Sequence, residues 1–197
     1  MPLKQRTKRK VVNNLNNVKK IFCIQGMSGA GKDTLVNIVS KSLNIPTLVS
    51  HTTRPIREGE VRDKTYYFVN EVFFEHQYNN FLELREYKVW NGDIWYYGLH
   101  EVELSNRPYS LFIVDRQGYE QLKSKLGSKL VSIMIKADKE ELLKRLNNRG
   151  DNQKEILRRI EDDIKRFEGF EPDYVVVNND LTEATKQLEE IIKREME

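Results

Sequence analysis

Cysteine is almost absent from this chain, and its scarcity excludes a disulfide-stabilised scaffold. The single cysteine, Cys23, has no partner for an intrachain disulfide and is predicted to be a small core residue. Long hydrophobic runs are also missing: no stretch approaches the roughly 20 apolar residues of a membrane span, and the N-terminus lacks the apolar segment of a secretory signal. No internal repeat is recognisable. We therefore expect a soluble, cytoplasmic protein.

Acidic residues are absent from residues 1–20, which carry seven lysines and arginines. The net charge is +3, so subtracting these seven charges leaves −4 for the rest of the chain. We expect residues 1–19 to be a basic flexible tail, because short basic tails are commonly disordered; contact with nucleic acid is the alternative. The length of 197 residues suits one α/β domain with inserted subdomains.

The most informative stretch is a glycine-rich turn between an apolar run and a helical pattern. The run of strand length starts at Ile21, and apolar residues from Leu35 onward recur at the spacing of one helix face. The spacing Gly26-x4-Gly31-Lys32 between a strand and a helix is typical of a phosphate loop, where backbone N–H groups and the helix dipole hold phosphate. In such a loop Lys32 reaches the β and γ phosphates. A turn that merely joins strand to helix is the alternative.

One position of this loop departs from the usual pattern. A Ser or Thr hydroxyl normally follows the lysine as a Mg²⁺ ligand, whereas this chain has Asp33 there and Thr34 one place later. A carboxylate can ligate Mg²⁺, but it also adds negative charge beside a polyphosphate. The predicted ATP-binding residues of the loop are Gly26, Ser28, Gly29, Ala30, Gly31, Lys32, Asp33 and Thr34.

A second segment, residues 50–61, carries two arginines three positions apart. Arg54 and Arg57 follow hydroxyl residues and are held by a proline-stiffened chain. Guanidinium groups bind phosphate in a bidentate fashion, so the pair suits a clamp for a second phosphate. A solvated loop with unremarkable charges is the alternative.

Ordered sequence blocks in this chain resemble those of the guanylate kinase family. The resemblance covers about residues 20 to 195, and a set of motifs in this order is far more specific than a lone phosphate loop. The blocks are Ser50-x-Thr52-Thr53-Arg54-x-x-Arg57-x-Gly59-Glu60, Tyr66-x-Phe68-Val69, Phe81-Leu82-Glu83, Tyr96-Tyr97-Gly98, Asp115-x-Gln117-Gly118, Arg145-Leu146-x-x-Arg149-Gly150 and Val176-Val177-Asn178-Asn179-Asp180.

The resemblance implies a three-layer P-loop α/β fold with a parallel central sheet, an inserted GMP-binding subdomain and a helical lid. It implies a core at 20–50, 104–144 and 170–197, the GMP-binding subdomain at 51–103 and the lid at 145–169. The residues independently predict strands near 20–25, 110–115, 130–136 and 174–178 that alternate with helices such as 139–148 and 181–193, an arrangement that favours a parallel sheet. They also predict a short strand at 47–49 and a hairpin with a two-residue turn at Asn91-Gly92.

Carried over by position, the resemblance assigns the acceptor site. It implies that Ser50, Arg54, Arg57, Tyr66, Glu83, Tyr97 and Asp115 bind GMP. A carboxylate at Glu83 can accept both N1–H and the exocyclic amine of guanine, whereas adenine presents an acceptor at N1. Asp115 would lie near the acceptor nucleotide and, with Asp33, near Mg²⁺; an acid that only caps the turn after the strand is the alternative.

The resemblance also implies lid arginines and an adenine contact. Arg145, Arg149 and Arg159 would neutralise the transferring phosphoryl group, Arg158 less so, although a highly charged helix is usually only a solvated face. Asn178 corresponds to the position near the ATP adenine. Leu99 stands where the family usually has Ser or Thr to hydrogen-bond the base, and leucine cannot make that bond.

We therefore expect a kinase that uses ATP and Mg²⁺ to phosphorylate a nucleoside monophosphate, GMP or dGMP first. A kinase for another deoxy or modified nucleotide is the first alternative. A guanylate-kinase-like binding module without catalysis is the second: Lys32, Arg54 and Arg57 argue against it, and Asp33 and Leu99 favour it. The expected partners are small nucleotides, with nucleic acid contact limited to the tail and no membrane contact.

Overall fold

The computed structural model describes residues 15–88, 92–148 and 153–197, with the backbone alone at residues 153–155, 157 and 159. The elements in these ranges are β1 Lys20–Gly26, α1 Lys32–Leu43, β2 His51–Thr52, β3 Tyr67–Phe68, α2 Glu71–Gln77, β4 Phe81–Lys88, β5 Ile94–His100, β6 Tyr109–Ile113, α3 Arg116–Leu126, β7 Leu130–Lys136, α4 Lys139–Asn148, α5 Gln153–Phe167, β8 Tyr174–Val177 and α6 Leu181–Met196. None of the helices in these ranges is long and apolar enough to cross a membrane.

The chain forms two compact units. The unit that we call the core unit comprises Lys20–Thr47, Tyr109–Arg116 and Ser128–Glu197. The other, which we call the mixed-sheet unit, comprises Leu48–Pro108, Gln117–Gly127 and the described residues before Lys20.

The core unit is built on a parallel sheet with the strand order β6-β1-β7-β8. In β1, Ile21 is paired with Ser110 on one side and Leu130 on the other, and residues 21–26 are all buried. A strand that is apolar on both faces belongs in a parallel sheet covered by helices. Buried side chains of α1 and α6, such as Leu35 and Leu188, join the same hydrophobic cluster. The predicted α/β fold is confirmed, and Cys23 is a fully buried core residue.

The mixed-sheet unit has the strand order β3-β2-β5-β4, in which β2 and β3 are parallel and the other pairs antiparallel. Phe74 of α2, Phe81 of β4 and Tyr96 of β5 form its buried cluster. The Asn70 side chain caps α2 by accepting from the backbone N–H of Phe73 at 2.9 Å. These three aromatic side chains therefore form a hydrophobic cluster within the mixed-sheet unit.

One local prediction differs from the structure, and one lies partly outside the described ranges. The predicted strand at 47–49 is wrong: Thr47 forms only an isolated bridge with Leu111, and the Val49 N–H donates to the Glu103 carboxylate instead of to a strand. In the predicted hairpin, β4 and β5 do pair antiparallel, with Lys88 opposite Ile94. The predicted two-residue turn at Asn91-Gly92 includes residue 91, and residues 89–91 lie outside the described ranges.

A buried histidine in β2 predicts that the mixed-sheet unit is destabilised by acid. His51 is 8% exposed, and its ring stacks on Phe73 at a centroid distance of 5.2 Å. Burial, with a smaller contribution from His100, lowers the pKa of His51 from 6.5 to about 4. Because folding favours the neutral ring, its contribution to stability is present above pH 6.5 and is lost as the pH falls toward 4.

We expect acidification from pH 7 to pH 5 to lower the unfolding free energy of the parent by about 1–2 kcal/mol more than that of a His51→Gln variant. The measurement is urea unfolding at both pH values. His76→Gln is the matched control, since His76 is exposed on α2, and this variant should keep the parent's pH dependence. Equal pH dependence of the parent and His51→Gln would show that His51 does not titrate on unfolding.

Candidate functional site

The glycine-rich turn joins β1 to α1 through left-handed backbone conformations. Gly29 has φ 84° and Gly31 has φ 85°, values that L side chains rarely adopt. A β-carbon at Gly31 would also collide with Nδ2 of Asn178, and one at Gly26 would collide with the carbonyl oxygen of Ile135. Glycine is therefore required by both backbone conformation and close packing, as the phosphate-loop motif predicts.

The lysine of the motif folds back over its own loop. Lys32 Nζ donates to the carbonyl oxygens of Gly26 at 2.7 Å and Met27 at 2.9 Å. Asp33 and Thr34 follow in the first turn of α1, and both are exposed. The ammonium group thus lies against the loop, where a phosphate held by the loop would meet it.

An acidic side chain binds a backbone N–H of this loop. The Ser28 N–H donates to Oδ2 of Asp163 at 2.6 Å, and Asp163, on α5, is only 9% exposed. Helix α5 lies close to the loop because Leu146 of α4 and Ile160 of α5 form a buried cluster. Met27 of the loop packs against this cluster. The Asp163 carboxylate thus accepts a hydrogen bond from a backbone N–H that an anionic ligand of the loop would otherwise use.

Two predicted residues meet at the other side of the turn. Arg145, in the last turn of α4, donates through Nε to Glu141 at 2.9 Å and through Nη2 to the carbonyl of Asn178 at 2.8 Å. Asn178 donates through Nδ2 to the carbonyl of Ala30 at 2.7 Å, so it ties the loop to the end of β8. Within the described ranges, Nη1 of Arg145 and Oδ1 of Asn178 are buried without a hydrogen-bond partner. Buried polar atoms are normally hydrogen-bonded, so these two favour binding of a ligand. Such a ligand would present an anionic group to Arg145 and a hydrogen-bond donor to Asn178.

The mixed-sheet unit brings together three predicted acceptor residues. The Arg54 guanidinium lies 5.3 Å from the Tyr66 ring and donates through Nε to the Tyr97 hydroxyl at 3.1 Å. Its Nη1 and Nη2 atoms form a bidentate pair with Glu60 at 3.0 and 2.6 Å. The Arg54 backbone N–H donates to the Thr52 hydroxyl, which anchors the segment. These contacts fix the orientation of the Arg54 guanidinium. The Glu60 carboxylate accepts two parallel hydrogen bonds from it, as an anionic ligand would.

The partner carboxylate is ionised over the ordinary pH range. Burial alone would raise the pKa of Glu60, but hydrogen bonds from the Arg54 side chain and the Arg57 backbone N–H, the latter at 2.7 Å, lower it below its usual value. Arg57 itself is exposed. The segment therefore holds one buried and one exposed guanidinium near a single carboxylate.

The predicted base-contacting residue is also paired. Glu83, in β4, is fully buried, and its two carboxylate oxygens accept from Nε of Arg85 at 2.7 Å and from Nη2 at 3.0 Å. Leu99 lies opposite Glu83 in β5 and is fully buried. The carboxylate expected to face guanine therefore already holds a forked cation.

The contacts of the remaining predicted site residues are as follows. Ser50 is buried, and its carbonyl accepts from the Tyr67 N–H at 3.0 Å. Asp115 follows β6 and lies 3.6 Å from an Nη1 atom of Arg166. Arg158 is exposed and pairs with Asp162 at 2.6 Å. Arg149 and the side chain of Arg159 lie outside the described residues.

The sequence interpretation missed the acidic and basic partners of these site residues. They are Glu60, Arg85, Glu141 and Asp163, each an ion-pair or hydrogen-bond partner of a predicted site residue or of the loop backbone. Arg85 carried a usable signal, because residues i and i+2 of a strand share a face. The Ser28–Asp163 contact spans 135 positions and had no local signal.

Among the residues that the structure describes, no group of three or more His, Cys, Asp or Glu side chains is placed to hold a metal ion. Mg²⁺ bound together with a nucleotide needs only one or two carboxylates, since phosphate oxygens and water complete its shell. The exposed Asp33 and the half-buried Asp115 are compatible with that smaller contribution.

Known proteins resemble this chain over most of its length. A family model described as guanylate kinase matches residues 18–195. A guanylate kinase of Buchnera aphidicola is 33% identical over 184 residues, covering 89% of this chain and 87% of the relative, and one of Agrobacterium fabrum is 34% identical over 183 residues, covering 89% and 82%. The crystal structure of guanylate kinase from Anaplasma phagocytophilum has a TM-score of 0.66 at 28% identity, covering 90% of this chain and 86% of that one. These matches confirm the predicted resemblance, and the chain belongs to the guanylate kinase family.

Proposed function

We propose that the protein transfers the γ-phosphoryl group of ATP to GMP or dGMP, producing ADP and GDP or dGDP. The observation that carries the proposal is the phosphate loop, where Gly29 and Gly31 are left-handed and Lys32 lies against the loop carbonyls at the start of α1. Family membership supports a nucleoside monophosphate kinase. The retained lysine and the Arg54 fork support catalysis over simple binding.

The donor nucleotide is bound by the core unit in this proposal. Lys32 exchanges its carbonyl partners for β- and γ-phosphate oxygens, and loop N–H groups, including that of Ser28, donate to the same oxygens. Nη1 of Arg145 and Oδ1 of Asn178 are buried without a hydrogen-bond partner among the described residues. In this proposal Nη1 receives a phosphate oxygen and Oδ1 receives a donor from the adenine.

The acceptor phosphate is bound by Arg54 and Arg57, with Tyr66, Tyr97 and Ser50 around it. Glu60 holds the Arg54 fork in the geometry of a bound anion, so phosphate replaces a carboxylate and the side chain need not reorganise. Residues 51–103 act as the GMP-binding subdomain in this scheme.

The transferring phosphoryl group carries its charge on three oxygens, and little covalent work remains for the protein. Arg145, Arg149 and Arg159, in the proposed lid at 145–169, neutralise that charge and exclude water, so that ATP is not hydrolysed. Asp33 and Asp115 would contribute to holding Mg²⁺, which when bound supplies charge neutralisation at the phosphates.

A screen of acceptors tests the proposal. ADP formation from ATP is measured with each ribo- and deoxynucleoside monophosphate, and GMP or dGMP should give the highest kcat/KM. A pyrimidine or modified nucleotide as best acceptor would leave the kinase chemistry standing but assign a different substrate. Binding of GMP without transfer to any nucleotide would favour the non-catalytic binding module.

The contact between Asp163 and Ser28 predicts a competition at the loop. Asp163→Ala is expected to lower the KM for ATP about three- to tenfold, because phosphate no longer displaces a carboxylate and meets one negative charge fewer. The measurement is steady-state kinetics with varied ATP. Asp162→Ala is the matched control, since Asp162 is exposed and pairs with Arg158; it should leave the KM unchanged. A raised KM in Asp163→Ala would mean that Asp163 organises the loop instead of competing with ATP.

A further inference from the structure

Glu83, the predicted base contact, lies next to an irregularity in an edge strand. β4 is the last strand of the β3-β2-β5-β4 sheet, so among the described strands it pairs with β5 alone. The β4–β5 register shifts between Phe81 and Glu83. Such a shift re-aims neighbouring side chains, and a slip by one residue turns every side chain of a strand to the other face. The direction of the Glu83 carboxylate therefore depends on what holds the backbone of β4 at this place.

A glutamine of α3 takes the place of a neighbouring strand at Leu84, the residue after Glu83. Gln121 accepts through Oε1 from the Leu84 N–H at 3.0 Å and donates through Nε2 to the Leu84 carbonyl at 2.9 Å. One carboxamide thus satisfies both backbone groups that an edge strand would otherwise leave unpaired. The Leu84 side chain packs against the aromatic cluster of this unit. Leu84 is therefore held through its backbone and its side chain.

The same helix also holds the two residues before Glu83. Lys125 donates through Nζ to the carbonyl oxygens of Phe81 and Leu82. Gln121 and Lys125 are four positions apart, so they lie on one face of α3. The helix is anchored by its buried apolar side chains, which are Tyr119, Leu122 and Leu126. Two side chains of an anchored helix thus hold β4 on both sides of Glu83.

These contacts differ in kind from the ion pair between Glu83 and Arg85. That pair joins two residues of one strand, at 2.7 and 3.0 Å, and therefore moves with β4 if the strand shifts. Gln121 belongs to a separate element and holds β4 from the edge opposite to β5. The Arg85 pair thus orients the Glu83 side chain, whereas α3 and β5 together fix the strand that carries it.

We propose that Gln121 is a positioning residue for recognition of the acceptor base. It holds β4 so that both carboxylate oxygens of Glu83 meet N1–H and the 2-amine of guanine, and Lys125 supports the strand at the register shift. This inference rests on the proposed function and names a residue that specifies guanine at the same site. Inosine monophosphate lacks the 2-amine and offers one donor fewer, so loss of Gln121 harms it less than GMP.

Acceptor kinetics of a Gln121→Met variant test the inference. Methionine has a similar length and shape but cannot pair with the backbone of Leu84. We expect the ratio of kcat/KM for GMP to that for inosine monophosphate to fall about three- to tenfold. Ser124→Ala is the matched control on α3, since the exposed Ser124 hydroxyl donates to the Gln121 backbone carbonyl; it should keep the parent ratio. An equal loss for both acceptors would assign Gln121 a structural role and overturn the inference, as would an unchanged ratio.

A double-mutant cycle shows whether Gln121 acts through Glu83. In a Glu83→Gln background, Gln121→Met should change the ratio less than about twofold, because the carboxylate that it positions is gone. A fall of the same size in both backgrounds would mean that Gln121 affects the base by another route, and the inference would be wrong.

Lys125→Met keeps the inference testable if Gln121→Met does not fold, because Lys125 is exposed. This variant leaves the carbonyls of Phe81 and Leu82 to water and should lower the same ratio about two- to threefold. Lys123→Met, at another exposed lysine of α3, should not. An unchanged ratio in Lys125→Met would show that α3 does not position Glu83. Absence of transfer to GMP and inosine monophosphate by the parent would instead defeat the proposed function.

Discussion

Replacing Lys32 by alanine is expected to lower kcat for phosphoryl transfer by about 10²–10³-fold while the protein remains folded. In the proposed function the ammonium group stabilises charge that develops on the transferring phosphate. It donates hydrogen bonds to the carbonyls of Gly26 and Met27, which water can replace at this half-buried position. Kinetics with saturating GMP and a thermal unfolding curve measure the two effects.

The matched control is Lys41→Ala, at the opposite end of α1. Lys41 is exposed in the last turn of this helix, so its removal should change neither kcat nor the unfolding temperature appreciably. Turnover of Lys32→Ala at the parent rate would contradict the assignment of the phosphate loop.

Replacing Arg54 by alanine is expected to lower kcat/KM for GMP by about 10²–10³-fold, with ATP binding unchanged. Arg54 offers two charge-assisted hydrogen bonds from a fixed fork, each contributing about 1.5–3 kcal/mol. In the proposed function these bonds reach only the acceptor, so calorimetry with ATP should give the parent affinity.

Glu60 needs a separate control in this experiment, because Arg54→Ala removes its cation partner. Glu60→Gln keeps Arg54 and removes the negative charge that the acceptor phosphate must displace from it, so we expect no large loss of kcat/KM. Arg62→Ala is the matched arginine control: Arg62 is exposed and donates to the carbonyl of Phe68. Equal weakening of ATP and GMP binding in Arg54→Ala would count against an acceptor-specific clamp.

The phosphate loop was predictable from sequence because its requirements are local. Gly26, Gly31 and Lys32 lie within seven positions, and the structure gives both the left-handed conformation at Gly31 and the collisions that exclude a side chain. The parallel sheet was predictable for a similar reason, because β1 and β7 are apolar on both faces.

The partners of the site residues were not predictable, because they depend on side-chain conformation and long-range packing. Asp163 reaches Ser28 only because α5 packs against Met27 through its apolar face. Arg85 shares a strand face with Glu83, which the period of two indicates, but the period alone does not predict the two hydrogen bonds between their side chains. The isolated bridge at Thr47 was not predictable for the same reason. Thr47 is the last residue of a core-unit segment, and the sequence does not show where that segment ends.

The most direct test of the central claim is transfer of label from γ-³²P-labelled ATP. The protein is incubated with labelled ATP, Mg²⁺ and GMP, and the products are separated by chromatography. We predict that the label appears in GDP, that free phosphate stays near the background of a Lys32→Ala control, and that omission of GMP abolishes turnover. Label released only as free phosphate, or retained in ATP while GMP is bound, would contradict a guanylate kinase activity.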